Sequence, residues 1–331
     1  MNKYIFFRTD RIGDFLMSSI LFKSIKNSDN TSVIIVVASK KNFEYIKKAE
    51  FVDEAILFPK SFTKKFLFYL KFFFKKFYLV GILDGKKRSI YFSLIVRSKY
   101  KFLFTYKKFY SLVFKYLFSK IFLDKNCSSK FDEIKNLLKY IGILFSENDL
   151  NTISYNRVNN YTLNISNLNK FILIHFDEKW IFNDYINSYK SIEPLNEKTL
   201  LEFLEKIVLN SGMDLVVSTG SKSNKYIDFI KKRFSFLNKN IYFYNSFKNK
   251  IYLYDNLSFS QLEKLILNSD TLITCHGAPS HVGAALNKKI IDIIDLSEDD
   301  FFLKWTAHFR NHNLVYRDGF INISKKILSL L

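Results

Sequence analysis

The apolar residues of the first half fall into short continuous runs separated by longer amphipathic stretches. Continuous runs suit strands buried on both faces of a sheet, and apolar residues at helical spacing suit helices that cover it. The runs predict strands at 3–8, 32–38, 54–58, 78–83 and 100–104. The amphipathic stretches predict helices that include 14–27, 62–76, 87–97 and 130–144. This alternation predicts a parallel sheet built from βα units.

The same rhythm restarts in the second half, after a stretch rich in Asn and Ser. We interpret this stretch, 146–169, as the connection between two domains, with room for one strand. Strands are predicted at 170–176, 214–220, 241–245, 271–277 and 289–295. Helices are predicted at 197–211, 222–234, 258–268 and 279–287. The chain is therefore expected to be an α/β protein of two Rossmann-like domains, 1–150 and 151–331, with the final helix a candidate to pack back on the first domain.

Parallel sheets of this kind bind ligands at the carboxyl ends of their strands. Most of the unusual polar residues of the chain lie at these ends. The candidate ligand-binding segments are 8–14, 84–88, 175–180, 219–224 and 275–281.

Charge is distributed unevenly along the chain. The formal net charge is +20, and between Lys60 and Lys120 sixteen Lys and Arg residues face a single acidic residue, Asp84. Such a field attracts nucleic acid, an acidic lipid surface or phosphorylated substrates. The alternative is an ordinary solvated charged face. Nucleic acid is the weakest of these partners, because the aromatic residues of "KKFLFYLKFFFKKFYLV" are placed mostly in the core or on a helix face rather than as stacking platforms.

The compartment is inferred from cysteines and apolar segments. Cys127 and Cys275 lie far apart and match no metal or redox spacing, which favours a reducing, cytoplasmic environment. The first residues do not follow a signal-peptide pattern. The most apolar segment, 66–85, is interrupted by three lysines and predicts no membrane span. We expect a cytoplasmic protein, peripheral on the inner face of the inner membrane if the basic region meets acidic lipid.

The turn after the first predicted strand, "RTDRIGD", places Asp14 directly after Gly13 at a helix start. A dinucleotide loop needs G-x-G-x-x-G, which is not present here. Asp14 has two interpretations: a helix-capping carboxylate, or a general base at the edge of a cleft. Arg8 and Arg11 flank it and could hold a phosphate or keep the carboxylate ionised.

A second turn, "LDGKKRS", has the same shape, with Asp84 before a glycine and Arg88 at a basic helix start. A solvated turn is the alternative interpretation. In the second half, "HFDEKW" offers Lys179 as a phosphate partner. The "STGSKSN" turn, with Gly220 and Ser221, leads into a helix whose free N–H groups form a natural anion site.

The most specific stretch is "TCHGAPSHVGAALNKKIIDII", 274–294. A helix start built from small residues suits a diphosphate on its amide groups; the alternative is tight helix–sheet packing with His281 in the core. A Ser–His nucleophilic pair is disfavoured, because sequence neighbours point to different faces of a helix. The histidines at 276, 281, 308 and 312 fit no standard zinc spacing, so no metal is expected.

Taken together, these segments resemble glycosyltransferase family 9, the ADP-heptose:lipopolysaccharide heptosyltransferases. Family members begin with a strand, an arginine, a Gly-Asp pair and a helix, and "RTDRIGD" matches that start. Their "YDLVIDLQGNLRS" element is similar to "FYLVGILDGKKRS", and their "HPGASxxxKRW" element to "HFDEKW". Their D-[ST]-G-P-x-H-[LIV]-A-A-A element resembles "HGAPSHVGAAL". The likeness runs along nearly the whole chain.

The resemblance implies a GT-B fold, with two Rossmann-like domains facing across a cleft. It implies an inverting, metal-independent transfer of a sugar from a nucleotide-diphosphate donor, ADP-heptose in the family, to a hydroxyl of a lipid-linked or phosphorylated glycan. No other cofactor is implied. Asp14 falls on the family's proposed general base. The acceptor-binding candidates of the first domain are Arg8, Arg11, Gly13, Asp84 and Arg88. The donor-binding candidates of the second domain are Lys179, Gly220, Ser221, His276, Gly277, Ala278, Ser280 and His281.

Three positions of the second half depart from the family's pattern, and the first helix, "FLMSSI", lacks the family's proline. His276 stands where the family has Asp, Gly277 where it has Ser or Thr, and Asn224 where an acidic residue is usual. All three fall in donor-contacting motifs, so glycosyl transfer is the broader expectation and heptosyl transfer the narrower one. The alternatives are a nucleotide-sugar epimerase of the same fold and a non-catalytic, basic, membrane-associated protein on a degenerate transferase fold.

Overall fold

The computed structural model describes residues 1–123, 128–165, 168–181, 196–220, 225–246 and 249–331. The chain divides into two compact units, Met1–Thr152 and Ile153–Leu331. Each unit is built on one sheet.

The first unit holds a six-stranded sheet in the order β3-β2-β1-β4-β5-β6, with every pair parallel. The central strand β1 is buried along nearly its whole length, as its continuous apolar run requires. The strands are β1 (Lys3–Arg8), β2 (Val33–Ala38), β3 (Glu54–Leu57), β4 (Lys76–Ile82), β5 (Arg97–Thr105) and β6 (Lys120–Leu123).

Helices connect these strands. Long apolar side chains of α3, α4 and α5 enter one aromatic-rich core cluster with the sheet, including Phe68, Phe92 and Tyr110. The reversal of strand order between β1 and β4 puts the carboxyl ends of these two strands side by side. The helices are α1 (Ile12–Ser28), α2 (Phe43–Ile46), α3 (Phe62–Phe73), α4 (Lys87–Ile95), α5 (Lys108–Val113) and α6 (Lys130–Tyr140).

The second unit holds an eight-stranded sheet in the order β14-β13-β12-β7-β8-β11-β10-β9. The strands are β7 (Phe171–His175), β8 (Asp214–Ser218), β9 (Ser235–Asn238), β10 (Ile241–Ser246), β11 (Asn249–Tyr254), β12 (Thr271–Cys275), β13 (Lys289–Ile294) and β14 (His312–Tyr316).

This sheet is mixed, which corrects the expectation of two parallel sheets. Strand β10 runs antiparallel to both β9 and β11. The connection between β9 and β10 is too short for a helical crossover, and a tight turn with Lys239 at φ 42° joins them instead. The other described pairs of the sheet are parallel.

Buried side chains of α8, α9 and α13 form an apolar core with the sheet, including residues of β7, β8 and β12. The final helix, α13, packs against α8 and β14 of its own unit. The described part of the 146–169 segment contains a 3-10 helix, Glu147–Leu150, a short α-helix, Tyr155–Asn159, and no strand. The helices are α7 (Tyr155–Asn159), α8 (Glu197–Ser211), α9 (Lys225–Arg233), α10 (Phe259–Asn268), α11 (Ala278–Ala285), α12 (Asp299–Thr306) and α13 (Phe320–Leu330).

Within the described ranges, no helix combines the length and the apolar character that a bilayer span requires.

Candidate functional site

The first group of polar residues lies where β1 gives way to α1. Asp14 is in the first turn of α1, and its Oδ2 accepts a hydrogen bond from the backbone N–H of Arg11 at 3.0 Å. The carboxylate is half-buried, and no hydrogen bond from a described residue reaches its Oδ1. Gly13, one residue earlier, is buried in the same turn. Asp14 therefore caps the helix and still presents one oxygen for other chemistry.

Arg8, at the end of β1, is buried, and its guanidinium bonds to other groups of the protein. Its guanidinium donates to the carbonyl of Leu83 at 2.6 Å and to the carbonyl of Asp14 at 2.9 Å. It also pairs with the carboxylate of Asp10 at 3.1 Å. These bonds join the ends of β1 and β4 and fix the position of Asp14, so Arg8 supports the turn from inside.

Asp84, just after β4, also links the ends of β1 and β4. Its Oδ2 accepts from the hydroxyls of Thr9 at 2.5 Å and Ser89 at 2.9 Å. Arg88 donates to the Thr9 hydroxyl at 2.8 Å, and its guanidinium stacks over Phe58. The residue after Asp84 is Gly85, at φ +58°, where an added Cβ would lie 2.9 Å from a backbone oxygen. The Asp-Gly turn therefore requires its glycine.

A basic pocket of about 600 Å³ opens beside this network. It collects residues that follow β1, β2, β3 and β4, as expected for the carboxyl edge of a parallel sheet. Asp10 is the only acidic residue among those that line it. Its basic lining residues are Arg11, Lys40, Lys41, Lys60, Lys65, Lys86 and Arg88. Arg11 and Arg88 were candidates from the sequence. The five lysines were not, because they come from the three separate segments that follow β2, β3 and β4.

Asp10 is a second acidic residue of this turn that the sequence did not single out. Burial raises its pKa to about 6, despite the Arg8 guanidinium, which lowers it. A carboxyl group with a raised pKa beside a pocket is a candidate functional group. The signal in the sequence was an aspartate between two arginines in "RTDR".

The raised pKa of Asp10 predicts a specific pH dependence of stability. An acid whose pKa is higher in the folded protein stabilises the fold in its protonated form. That contribution is complete below 3.8, the ordinary pKa, and is lost as the pH rises through about 6. Wild-type protein should lose about 2 kcal/mol more unfolding free energy between pH 4 and pH 7.5 than Asp10→Asn does.

Denaturant unfolding of both proteins at the two pH values measures this difference. Titrating groups that do not interact with Asp10 cancel in the comparison. Equal pH dependence of the two proteins would show that Asp10 titrates normally.

The second group of polar residues lies at the carboxyl ends of β7 and β12. Trp180 is fully buried, and its indole N–H donates to the carbonyl of His175 at 2.8 Å. This anchor fixes the turn that carries Lys179. The Lys179 ammonium donates to the carbonyls of His276 at 2.8 Å and Cys275 at 3.3 Å, and it pairs with Asp177 at 3.2 Å.

Gly277 allows this approach. A Cβ at this position would lie 2.5 Å from the Lys179 Nζ, so any larger residue would displace the ammonium. Ala278 follows as the first residue of α11, with Pro279 next in the first turn. The ammonium of Lys179 and the amino end of α11 thus lie together, which makes this end of the sheet favourable for an anion.

A buried carboxylate, Asp292 of β13, organises three side chains behind the helix start. It accepts from Ser280 at 2.9 Å and is bonded to His276 Nδ1 at 2.7 Å and His312 Nε2 at 3.2 Å. Burial alone would raise the pKa of Asp292, but the two imidazoles more than offset it and hold the pKa below its ordinary value. Sequence reasoning missed Asp292, although a lone Asp within the apolar strand "KIIDII" was the signal.

While Nδ1 of His276 is bonded to Asp292, its other ring nitrogen, Nε2, has no hydrogen bond to a described residue. The ring packs edge-on against Phe302, with centroids 4.8 Å apart. His276 therefore stands at the end of β12 in a fixed orientation, with one imidazole nitrogen held by a carboxylate.

His281 is buried, and burial followed by the neighbouring His276 holds its pKa well below the ordinary value. Burial likewise lowers the pKa of His308 to about 3. The Ser280 hydroxyl is fully buried between Asp292 and the backbone N–H of Gly277. These side chains support the helix start from within the core.

The remaining donor candidates lie near β8. Gly220 follows this strand, and the preceding Thr219 donates to Asp255 at 2.7 Å. Ser221 and Asn224 lie outside the described residues. Across the described segments, no three His, Cys, Asp or Glu side chains are grouped so that they could hold a metal ion.

Solved structures similar to the chain include two heptosyltransferases and a UDP-GlcNAc 2-epimerase. Escherichia coli ADP-heptose lps heptosyltransferase II matches 99% of this chain and 97% of its own at a TM-score of 0.66 and 16% identity. E. coli heptosyltransferase WaaC with ADP matches 99% and 97% at 0.63 and 11% identity. UDP-GlcNAc 2-epimerase from Methanocaldococcus jannaschii matches 100% and 92% at 0.55 and 12% identity.

No protein-family model matches the chain, and no curated protein matches it. The structural likeness at such low identity establishes the fold. The chain has the α/β, GT-B-type fold of these enzymes along nearly its whole length, which confirms the predicted fold class.

Proposed function

We propose that the chain is an inverting, metal-independent glycosyltransferase of the family 9 type. It transfers a heptose-like sugar from a nucleotide-diphosphate donor, with ADP-heptose as the first candidate, to a hydroxyl of a lipopolysaccharide or other surface glycan. The observation that carries the proposal is the fold, shared over 99% of the chain with two heptosyltransferases, one of them with ADP.

In this proposal the second unit holds the donor. The leaving diphosphate gains negative charge as its bond to the sugar breaks. The Lys179 ammonium and the amino end of α11 offer positive potential for that charge. His276 takes the place of the family's Asp and offers Nε2 to the donor, with Asp292 holding its orientation.

The first unit holds the acceptor. The acceptor oxygen attacks the anomeric carbon, its proton passes to the Asp14 carboxylate, and the nucleoside diphosphate leaves with the electrons of the broken bond. The basic pocket beside Asp14 suits a phosphorylated acceptor. Arg11 and Arg88 reach this pocket directly, whereas Arg8 and Asp84 hold its walls together.

The second candidate is a nucleotide-sugar epimerase, favoured by the likeness to UDP-GlcNAc 2-epimerase at a TM-score of 0.55. An epimerase needs no separate acceptor, and its product keeps the nucleotide. The lower TM-score and the basic pocket of the first unit make it the weaker candidate.

Thermal-shift measurements with ADP, GDP, UDP and CMP test the donor site. A ligand that binds only the folded protein stabilises it by about 2.7 kcal/mol at a concentration 100 times its Kd. We expect ADP to raise the melting temperature, and the Lys179→Met variant to respond less.

The other outcomes discriminate the alternatives. In the thermal-shift measurement, stabilisation by UDP alone favours the epimerase. In an activity assay, release of nucleotide from the donor only when an acceptor is added favours the transferase. No response to any of the four nucleotides contradicts a donor site and favours the non-catalytic alternative.

A further inference from the structure

The helix α3 exposes several large apolar side chains to solvent. Phe68 and Phe72 enter the core, whereas Phe62 is 83% exposed and Phe74, just after the helix, 79% exposed. The other exposed apolar residues of this helix are Phe66, Leu67, Leu70 and Phe73. A helix with one buried face therefore presents a second apolar face outward.

The segment around α5 repeats the arrangement. Tyr110 and Phe118 are buried, whereas Tyr116 is 91% exposed. Phe109, Leu112, Val113 and Leu117 are exposed as well. Between the two segments in sequence, α4 exposes Tyr91.

These helices cover the same face of the first sheet. Buried side chains of α3, α4 and the α5 segment share one core cluster, and Phe92 of α4 packs against Phe68 and Phe72 at centroid distances of 5.1 and 5.6 Å. Their exposed residues therefore belong to one outer layer, which we call the aromatic layer: the exposed apolar residues of 62–74, Tyr91 and those of 109–117. Exposed apolar surfaces of this extent mark interaction sites.

The aromatic layer is also strongly basic. Lys64, Lys71, Lys75 and Lys76 are exposed on or beside α3. Lys107, Lys108 and Lys115 are exposed around α5. The only acidic residue of 60–120 is Asp84, which is bonded within the strand-end network and is not on this layer.

This combination selects one partner among three. Two copies of the chain would bring like charges together, which opposes self-association. Nucleic acid stacks on aromatic rings, but the aliphatic Leu67, Leu70, Leu112 and Leu117 offer no stacking face. A bilayer interface accommodates both aromatic and aliphatic side chains and leaves the lysines at the headgroups.

We propose that the aromatic layer is a membrane-docking surface that inserts its apolar side chains into the interface of an anionic bilayer. The lysines contact the acidic headgroups, and each of them near such a surface strengthens binding by roughly a factor of five. The proposal is independent of any transferase activity, since it uses no residue of the two candidate sites.

Co-sedimentation with vesicles tests the apolar contribution. Wild-type protein should bind phosphatidylglycerol-containing vesicles, and the Phe62→Ser/Phe66→Ser/Phe74→Ser variant should bind them at least about tenfold more weakly. The matched control is Leu209→Ser/Phe236→Ser/Ile321→Ser, which changes three exposed apolar residues of the second unit and should bind like the wild type.

The contribution of the lysines is tested with a second variant and its matched control. Lys71→Glu/Lys75→Glu/Lys76→Glu should weaken binding to anionic vesicles at least about tenfold. The variant Lys198→Glu/Lys232→Glu/Lys326→Glu changes net charge equally on exposed lysines of the second unit and should have a smaller effect.

Insertion itself is measured with a tryptophan in place of Phe66. The native Trp180 and Trp305 are buried, so the fluorescence of Phe66→Trp should shift to the blue and be quenched by brominated lipid. Phe236→Trp, at an equally exposed position of the second unit, should show neither change.

Three results would overturn the proposal. One is no wild-type binding to anionic vesicles, with or without binding to single-stranded oligonucleotides. Another is equal binding by the serine variant of the layer and its control. The third is a concentration-dependent dimer that the serine variant abolishes, because the layer would then be covered by a second copy.

Discussion

The Asp14→Asn variant is expected to transfer sugar about 100- to 10,000-fold more slowly than the wild type, because Asp14 is the general base of the proposed mechanism and a positioned base accounts for a factor of that size. The loss should appear in the rate constant at saturating donor and acceptor. Nucleoside diphosphate released per unit time, with the donor nucleotide identified by thermal shift, measures it.

Asparagine is the informative substitution because Asp14 also has a structural task. Its Oδ2 accepts the backbone N–H of Arg11, and an asparagine oxygen accepts the same bond. The melting temperature of Asp14→Asn should therefore stay close to that of the wild type. Asp14→Ala removes the cap as well, so its additional loss of stability isolates the capping role.

Asp10 is the competing base, since it lies in the same turn and its pKa is raised to about 6. The two variants Asp14→Asn and Asp10→Asn separate the assignments. Full transfer activity in Asp14→Asn, with a large loss in Asp10→Asn, would show that Asp10 and not Asp14 is the general base. If Asp10 is not the base, the rate should keep its pH profile in Asp10→Asn.

The fold was predictable because its signal is local. The β1 run at 3–8 and the α8 pattern at 197–211 match the observed elements to the residue, since a doubly buried strand and an amphipathic helix each have a direct periodicity. The edge of the second sheet was not predictable in this way. Its edge strand β9 is only four residues long and exposed, and the antiparallel pairing of β10 with β9 and β11 depends on turn geometry.

The candidate site was predictable only at its strand ends. Asp14, Lys179 and Gly277 lie in the segments that follow β1, β7 and β12, where sequence alone marks a ligand edge. The lysines of the basic pocket come from three segments, and the partners of Asp292 come from the end of β12, from α11 and from β14. Such groupings depend on tertiary contacts between distant segments, which no local pattern encodes.

The donor site makes the second large prediction. Lys179→Met is expected to lower the transfer rate about 100- to 1,000-fold, because it removes a preorganised positive charge from the proposed site of the leaving diphosphate. Donor affinity should fall as well. Steady-state kinetics with the identified donor, together with its Kd, measure both effects.

The ammonium of Lys179 also ties two strand ends together, through the carbonyls of Cys275 and His276. Lys179→Gln separates the two roles, because an amide donates to carbonyls without a charge. If charge matters, Gln should be nearly as slow as Met while melting close to the wild type. A fast Lys179→Gln enzyme would show that the lysine is structural.

Two further variants make the test specific. Lys231→Met removes another lysine that pairs with an aspartate, Asp255, in the same unit, and should change stability more than rate. Gly277→Ala keeps the Lys179 charge but displaces it, since the new Cβ would lie 2.5 Å from Nζ. We expect Gly277→Ala to lose rate to an intermediate extent. Such a loss would show that stabilisation of the leaving diphosphate depends on the position of the ammonium as well as on its presence.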